Sequence, residues 1–174
     1  GWLRELQESE KRKILKKNKI SEFQSKFSFY YSGFNIRSTE INSFLGLSQI
    51  KKIKKICKIR NRNFKVYKNE LNEYFTVRCK TKPLSSFGYA TLTRNRDKVY
   101  EHFLKKKIEC RPIISGNIAK QIFWKKKYKK KLELPNSDLV HKFGIYLPNH
   151  ANQTVNDTKL ISKEFKKIAK VKLV

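Results

Sequence analysis

Two polar clusters in this sequence have residue types and spacing that could hold an anion. The first is "GFNIRSTEI", residues 33–41. Gly33 permits close backbone approach, and Asn35 and Arg37 stand just ahead of a helix start. A helix N-terminus carries unpaired amides and the positive pole, so a phosphate is a natural ligand there. The same residues suit a turn cap and a surface charge equally well, and spacing leaves both readings open. The second cluster is "CRPIISGNIAKQ", residues 110–121, where Arg111 leaves a strand and Pro112 forbids a helix. Ser115, Gly116 and Asn117 then open a new helix, and ordinary capping by Ser115 or Asn117 is the plainer alternative. His102 and His141 fall inside expected helices, where an imidazole more often packs or is solvated than catalyses. His150 follows a strand in "LPNHAN", a place where sites often form. The GxSxG, HExxH, P-loop and GxGxxG signatures are all missing. Cys57, Cys79 and Cys110 are far apart with no CxxC spacing, so neither a disulfide framework nor a metal site is expected. A reducing, cytoplasmic setting fits such cysteines.

The elements that must position these clusters follow from periodicity. Residues 2–19 read as a charged helix, and "FQSKFSFYYSGFN" alternates as an extended segment ending at Gly33. From Ile41 to Leu71 apolar residues recur at steps of three and four. That pattern predicts one helix of roughly thirty residues, about 45 Å long, capped by Ser38 or Thr39 and long enough to cross between modules. Strands are expected at 74–79, 86–93, 108–114 and 145–148, and helices at 96–107, 116–128, 135–144 and 155–170. Thr154 and Asp157 have capping-box spacing for the last helix. Alternating strands and helices predict an α/β layer with helices packed on one face.

Composition narrows the function classes. The 174 residues carry 42 Lys+Arg against 14 Asp+Glu, a net charge of +28, with 39% hydrophobic residues to supply a core. The charge raises the alternative of a basic nucleic-acid-binding module. Lysine dominates it, however, and is spread through "KKIKKICK", "FLKKKIE" and "FWKKKYKKK" with no patterned base-reading or stacking surface. No specific nucleic-acid partner is therefore expected. No run reaches the ~20 apolar residues of a membrane span, and no signal peptide is visible. The sequence has no Met and opens at Gly1, so it is expected to be a piece of something longer.

The motifs also carry a resemblance. "GFNIRSTEINSFLGLSQIKKI" resembles the segment of the DegT/StrS family in which G-[FY]-N-x-R-x-[ST]-[ED]-[IL] precedes a helix ending G-L-x-Q-[IL]-x-K-[IL]. "GWLREL" is similar to the text after that family's cofactor-bearing region. "KKKIECRPIISGNIAKQ", "LPNSDLVHKFGIYLP" and "TVNDTKLI" resemble its C-terminal small domain, in the branch with R-P-x-x-x-G-N that includes the nucleotide-sugar 3-dehydratases.

The resemblance implies an aspartate aminotransferase-like α/β fold, fold type I among pyridoxal-phosphate enzymes. Residues 1–32 would end an incomplete cofactor-binding domain, 33–71 would be the connecting motif and long helix, and 72–174 the small C-terminal domain. It implies a cofactor of pyridoxal or pyridoxamine 5'-phosphate and a nucleotide-linked keto-deoxy sugar as substrate. The reaction would be 3-dehydration or amino transfer, in surface polysaccharide or deoxysugar biosynthesis. By the same resemblance, Asn35 binds the cofactor phosphate of a neighbouring subunit in a homodimer with a shared active site. Arg37, Arg111 and Asn117 would be substrate-binding. The catalytic Lys or His would lie upstream of this chain, which alone is expected to be inactive and poorly soluble as a monomer. The clustered cysteines of the family's iron–sulfur subgroup are not matched before Cys57, so no iron–sulfur cluster is expected. The family's Pro-Gly after the last strand is "PNHANQT" here, which leaves His150 without a transferable role.

Overall fold

The structure is a computed structural model and describes residues 3, 6–34, 39–76, 85–128 and 132–171. Helix α1 spans Glu8–Asn18, with Glu8 and Glu10 in its first turn and lysines in its last, matching the helix dipole. The expected extended segment after it begins instead as a short helix, α2 (Glu22–Ser25), because the Ser21 hydroxyl caps it by accepting from the Gln24 amide at 3.3 Å. Helix α3 (Glu40–Ile50) is capped by Thr39, and α4 (Ile53–Glu70) follows. The single long helix is thus divided at Lys51–Lys52, where Lys52 N–H bonds back three residues to Gln49 (2.9 Å) and tightens the turn.

Strand β1 (Gly88–Leu92) pairs antiparallel with β2 (Gly144–Pro148), placing Tyr89 opposite Leu147 and Leu92 opposite Gly144. The strand expected at 108–114 reduces to one bridge between Arg111 and Tyr146, because Pro112 has no N–H to continue the ladder. The described part of the strand expected at 74–79 is not extended either. Tyr74 N–H closes a turn onto Leu71 (3.0 Å), while 77–79 lie outside the described residues. Helices α5 (Arg96–Lys105) and α7 (Pro135–Phe143) form close to the expected positions. Between them "NIAKQIFWKKK" makes a 3-10 turn at Ile118–Lys120 and then α6 (Ile122–Lys127), where one continuous helix was expected. Helix α8 (Val155–Ile168) opens with the Thr154–Asp157 capping box.

Helix α8 packs on α4 and α5. Tyr89, Phe103, Ile145, Leu147 and Phe165 are fully buried there, and Phe23 of α2 joins the same core. A smaller cluster sets Leu3 and Ile14 against Ile122. Buried polar groups are paired through the junction of α4, β2 and α8. The Tyr67 hydroxyl donates to the Pro148 carbonyl (2.7 Å) and accepts from Gln153 Nε2 (3.1 Å), and burial keeps its phenol protonated by raising its pKa.

At the α5–α8 contact, Glu164 accepts from Lys167 and lies 2.8 Å from His102 Nε2. Those two partners, Lys167 foremost, hold its carboxyl down at about 2 from the usual 4.5. A depressed carboxyl contributes stability above its unfolded pKa that is lost as pH falls through the folded one. Glu164→Gln should therefore cost stability above about pH 4.5, and the deficit should shrink to nothing near pH 2. Denaturant midpoints across that range check this, and a deficit that does not change with pH would contradict it.

Candidate functional site

The site is assembled from the corner that "RPIISGN" turns. Its chain path needs a positive φ twice in succession, at Ser115 (58°) and Gly116 (53°). Gly116 is required for a second reason. A Cβ there would stand 2.7 Å from His141 Nδ1 and 2.9 Å from His141 Cα, so the corner sits directly on α7. Asn117 follows, buried at 1% exposure. Its Oδ1 accepts from Ala119 N–H (2.9 Å) to cap the 3-10 turn, and its Nδ2 donates to Asp138 (2.6 Å). Lys120 closes the group by pairing with Asp138 at 2.9 Å, and together these contacts hold the Asp138 carboxyl below its ordinary pKa.

His141 sits beneath this corner with both ring nitrogens facing donor-bearing groups. Asn117 N–H points at Nδ1 (3.4 Å), and the Gln24 side-chain amide lies 3.1 Å from Nε2. A backbone N–H can only donate, so Nδ1 is the acceptor and Nε2 carries the hydrogen. Gln24 must then turn its oxygen to Nε2. Burial, reinforced by Lys120 and Arg96, lowers the His141 pKa and favours this neutral ring. A cavity of about 170 Å³ opens beside it, lined among others by Lys19, Gln24, Ser115, Gly116, Lys120 and Gln121.

Gln121 is the strut of the site. It is 5% exposed, its Oε1 accepts from Phe29 N–H (3.1 Å), and its Nε2 donates to the carbonyls of Phe27 (3.1 Å) and Ser115 (3.2 Å). One amide therefore ties the segment that leads into "GFN" to the "SGN" corner. A second cleft, about 240 Å³, lies between those two segments and is lined by Phe29, Tyr31, Ser32, Gly33, Ser115, Ile118 and Phe123.

Of the four residues that the sequence singled out, the structure describes Arg111 and Asn117. Asn35 and Arg37 lie outside the described residues; Gly33 and Phe34 precede them, and Thr39 caps α3 after them. Arg111 is half-exposed and ion-paired with Glu109, beside a cleft of about 230 Å³ that also takes in His150, while Asn117 is turned inward onto Asp138. Asn117 is not among the residues that line the cleft at Arg111. Gln24, Gln121 and His141 were not found as site residues by sequence reasoning, and no local pattern marks them, because each is defined by a partner far along the chain.

The family model for DegT/DnrJ/EryC1/StrS aminotransferases matches residues 4–166. The chain belongs to that family. A GDP-4-keto-6-deoxy-D-mannose 3-dehydratase of Yersinia pseudotuberculosis is 28% identical over 159 residues, 86% of this chain and 40% of that protein. A solved GDP-4-keto-6-deoxymannose 3-dehydratase, seen with a trapped PLP–glutamate geminal diamine and, as a variant, with bound GDP-perosamine, superposes at TM-score 0.63. It is 24% identical and covers 83% of this chain and 40% of its own. A Helicobacter pylori aminotransferase of pseudoaminic acid biosynthesis superposes at 0.65, with 21% identity, over 92% of this chain and 46% of its own. The fold is thus that of part of the pyridoxal-phosphate sugar aminotransferase structures, and the chain spans about 40% of the length of the curated relative.

The corner cavity does not by itself make a pyridoxal phosphate site. The corner cavity is lined by no Asp, Glu or Arg that could pair with a pyridinium nitrogen, and both nitrogens of its histidine are engaged. Among the described residues no helix is long and apolar enough to cross a membrane.

Proposed function

We propose that this chain is the C-terminal portion of a pyridoxal-phosphate enzyme that acts on a nucleotide-linked keto-deoxy sugar, by 3-dehydration or amino transfer. The observation that carries the reading is the match of both motifs, in order, within a family match over residues 4–166. The "RPIISGN" text and the 3-dehydratase relative favour dehydration of the two. When bound, the cofactor supplies an electron sink for carbanionic charge on the sugar. The residue that carries it comes from outside this chain, in a cofactor-binding domain that residues 1–32 complete. Residues 33–71 then lead into the small domain at 72–174. The division is one of chain order, since Phe23 packs in the same core as Phe165.

In this reading Asn35 donates to the cofactor phosphate of the other protomer in a homodimer. Arg37 meets the anionic part of the substrate, and Arg111 and Asn117 border the sugar site, Asn117 by fixing its corner. The flank of that motif supports a covered surface. Phe34 is 94% exposed, and Ile41, Phe44 and Ile50 of α3 are 63–74% exposed, an apolar face that no described residue covers. Cysteines with no disulfide pattern support a reducing, cytoplasmic setting.

The test is cofactor affinity in the whole protein. Losing one hydrogen bond to a charged phosphate is worth about 1.5–3 kcal/mol, so Asn35→Ala should weaken pyridoxal phosphate binding by about tenfold or more. Unchanged affinity in a folded dimer would refute the assignment.

A further inference from the structure

The corner cavity of about 170 Å³ gathers more positive charge than its surroundings balance. Three lysines from three segments line it: Lys19 at the end of α1, Lys120 in the 3-10 turn and Lys125 in α6. Among the described residues no carboxylate lines the same space. Lys120 is fixed by Asp138 at 2.9 Å, whereas Lys19 and Lys125 form no ion pair with a described residue. Like charges around one concave space repel one another and draw a counter-ion into it. The Ser115 hydroxyl, which makes no hydrogen bond to another described residue, adds a neutral donor to the lining. The frame is also held. Lys19 sits at φ 52° with its N–H on the Lys16 carbonyl (3.3 Å), and Gln121 fixes the Ser115 carbonyl (3.2 Å).

We propose that this cavity binds the phosphate group of a small anion, free phosphate or a phosphomonoester, at a site separate from those of cofactor and substrate. Lys19, Lys120 and Lys125 supply charge-assisted hydrogen bonds, and Ser115 supplies a neutral one. The cavity is smaller than the ~300–1,000 Å³ of pockets that enclose drug-sized ligands, so it admits a tetrahedral ion and not a nucleotide. An ion there joins the end of α1 to the corner and to α6. His141 makes the site sensitive to pH without touching the ion, since both its ring nitrogens are engaged. The charged groups that act on it are Lys120 and Lys125 beside the cavity, Arg96 of α5 and Asp138 of its own helix. Burial foremost, and then the cations, hold its pKa down against the opposing Asp138. An anion between Lys120 and Lys125 offsets those two, so His141 takes a proton more readily when the site is filled. By linkage the anion binds more tightly as pH falls. Nothing in this site depends on the reaction proposed above.

The test uses the whole protein loaded with pyridoxal phosphate, at constant ionic strength made up with chloride. Inorganic phosphate and glycerol 3-phosphate should each raise Tm as the site fills, and the tighter binder of the two identifies the source of the phosphate group. Lys19→Gln combined with Lys125→Gln removes two exposed and unpaired charges. In chloride that variant should melt no lower than wild type, and its affinity for phosphate should fall about tenfold or more. Sulfate keeps its charge across the pH range, so in sulfate the His141 ring signal should titrate about half a pH unit or more higher than in chloride. The double variant should lose that difference. Phosphate that binds no more tightly than chloride, a double variant that binds it like wild type, or a His141 titration indifferent to sulfate would overturn the proposal. So would displacement of phosphate by GDP-mannose, or binding seen only after the cofactor is stripped, because the ion would then occupy the substrate's or the cofactor's place.

Discussion

Gly116→Ala is expected to destabilise the protein by about 3 kcal/mol, within the range of substitutions that force a left-handed backbone and a steric overlap together. The two contributions are separable. At φ 53° a Cβ costs about 1–2 kcal/mol in backbone strain alone. The new methyl would then stand 2.7 Å from His141 Nδ1, 2.9 Å from its Cα and 3.0 Å from its Cβ. The Cα is helix backbone, so relief requires moving the corner off α7. That movement would lengthen the Asn117–His141 and Asn117–Asp138 hydrogen bonds and leave the buried Asn117 amide poorly partnered. Urea denaturation should show a lower midpoint with an unchanged slope. Ser115→Gly, one residue earlier at nearly the same φ, serves as the opposite-signed control. A loss below about 1 kcal/mol for Gly116→Ala would mean that α7 gives way freely and the corner is not a rigid mount.

What the sequence made legible was local. The Thr154–Asp157 box, the helices 96–107 and 135–144, and the strands around Tyr89 and Ile145 are set by capping chemistry and apolar spacing within a few residues. The errors came where spacing carried two meanings. Alternating aromatics at 23–34 mimic a strand, yet Ser21 caps a helical turn there and Phe23 goes into the core. Isoleucines around Pro112 have strand propensity, but one missing N–H outweighs them. The candidate site divides in the same way. Arg111 and Asn117 were visible because an Arg-Pro and a Ser-Gly-Asn punctuate the chain. The residues that build the corner were not, because Gln24 meets His141 across 117 positions and Gln121 meets Phe29 across 92. The family resemblance reaches further than either, since the proposal that Asn35 meets a cofactor phosphate rests on it, where spacing alone suggests only an anion or a turn cap.

Phe165→Ala carries the other large expected effect, a loss of about 3–5 kcal/mol. Phe165 is fully buried in α8, edge-on to Tyr74 at 5.1 Å and to Phe103 at 6.4 Å between ring centroids. Those rings come from the chain after α4 and from α5, so one side chain joins three segments remote in sequence. Removing it leaves a cavity among aromatics, which are too rigid to collapse into the space, and the cost rises with the volume left open. Phe165→Leu keeps most of the volume and should cost under about 1.5 kcal/mol. The ratio of the two losses reads packing apart from composition, because both variants remove the ring while one leaves little void. The binding readouts should diverge from the stability readouts. Phe165 lines neither the corner cavity nor the cleft at Ser115, so Phe165→Leu should lower the unfolding midpoint and leave sugar-nucleotide affinity unchanged. A fall in affinity with Phe165→Leu would mean that α8 transmits strain to the corner, and the mount would then have to be extended from α7 to the whole helical layer.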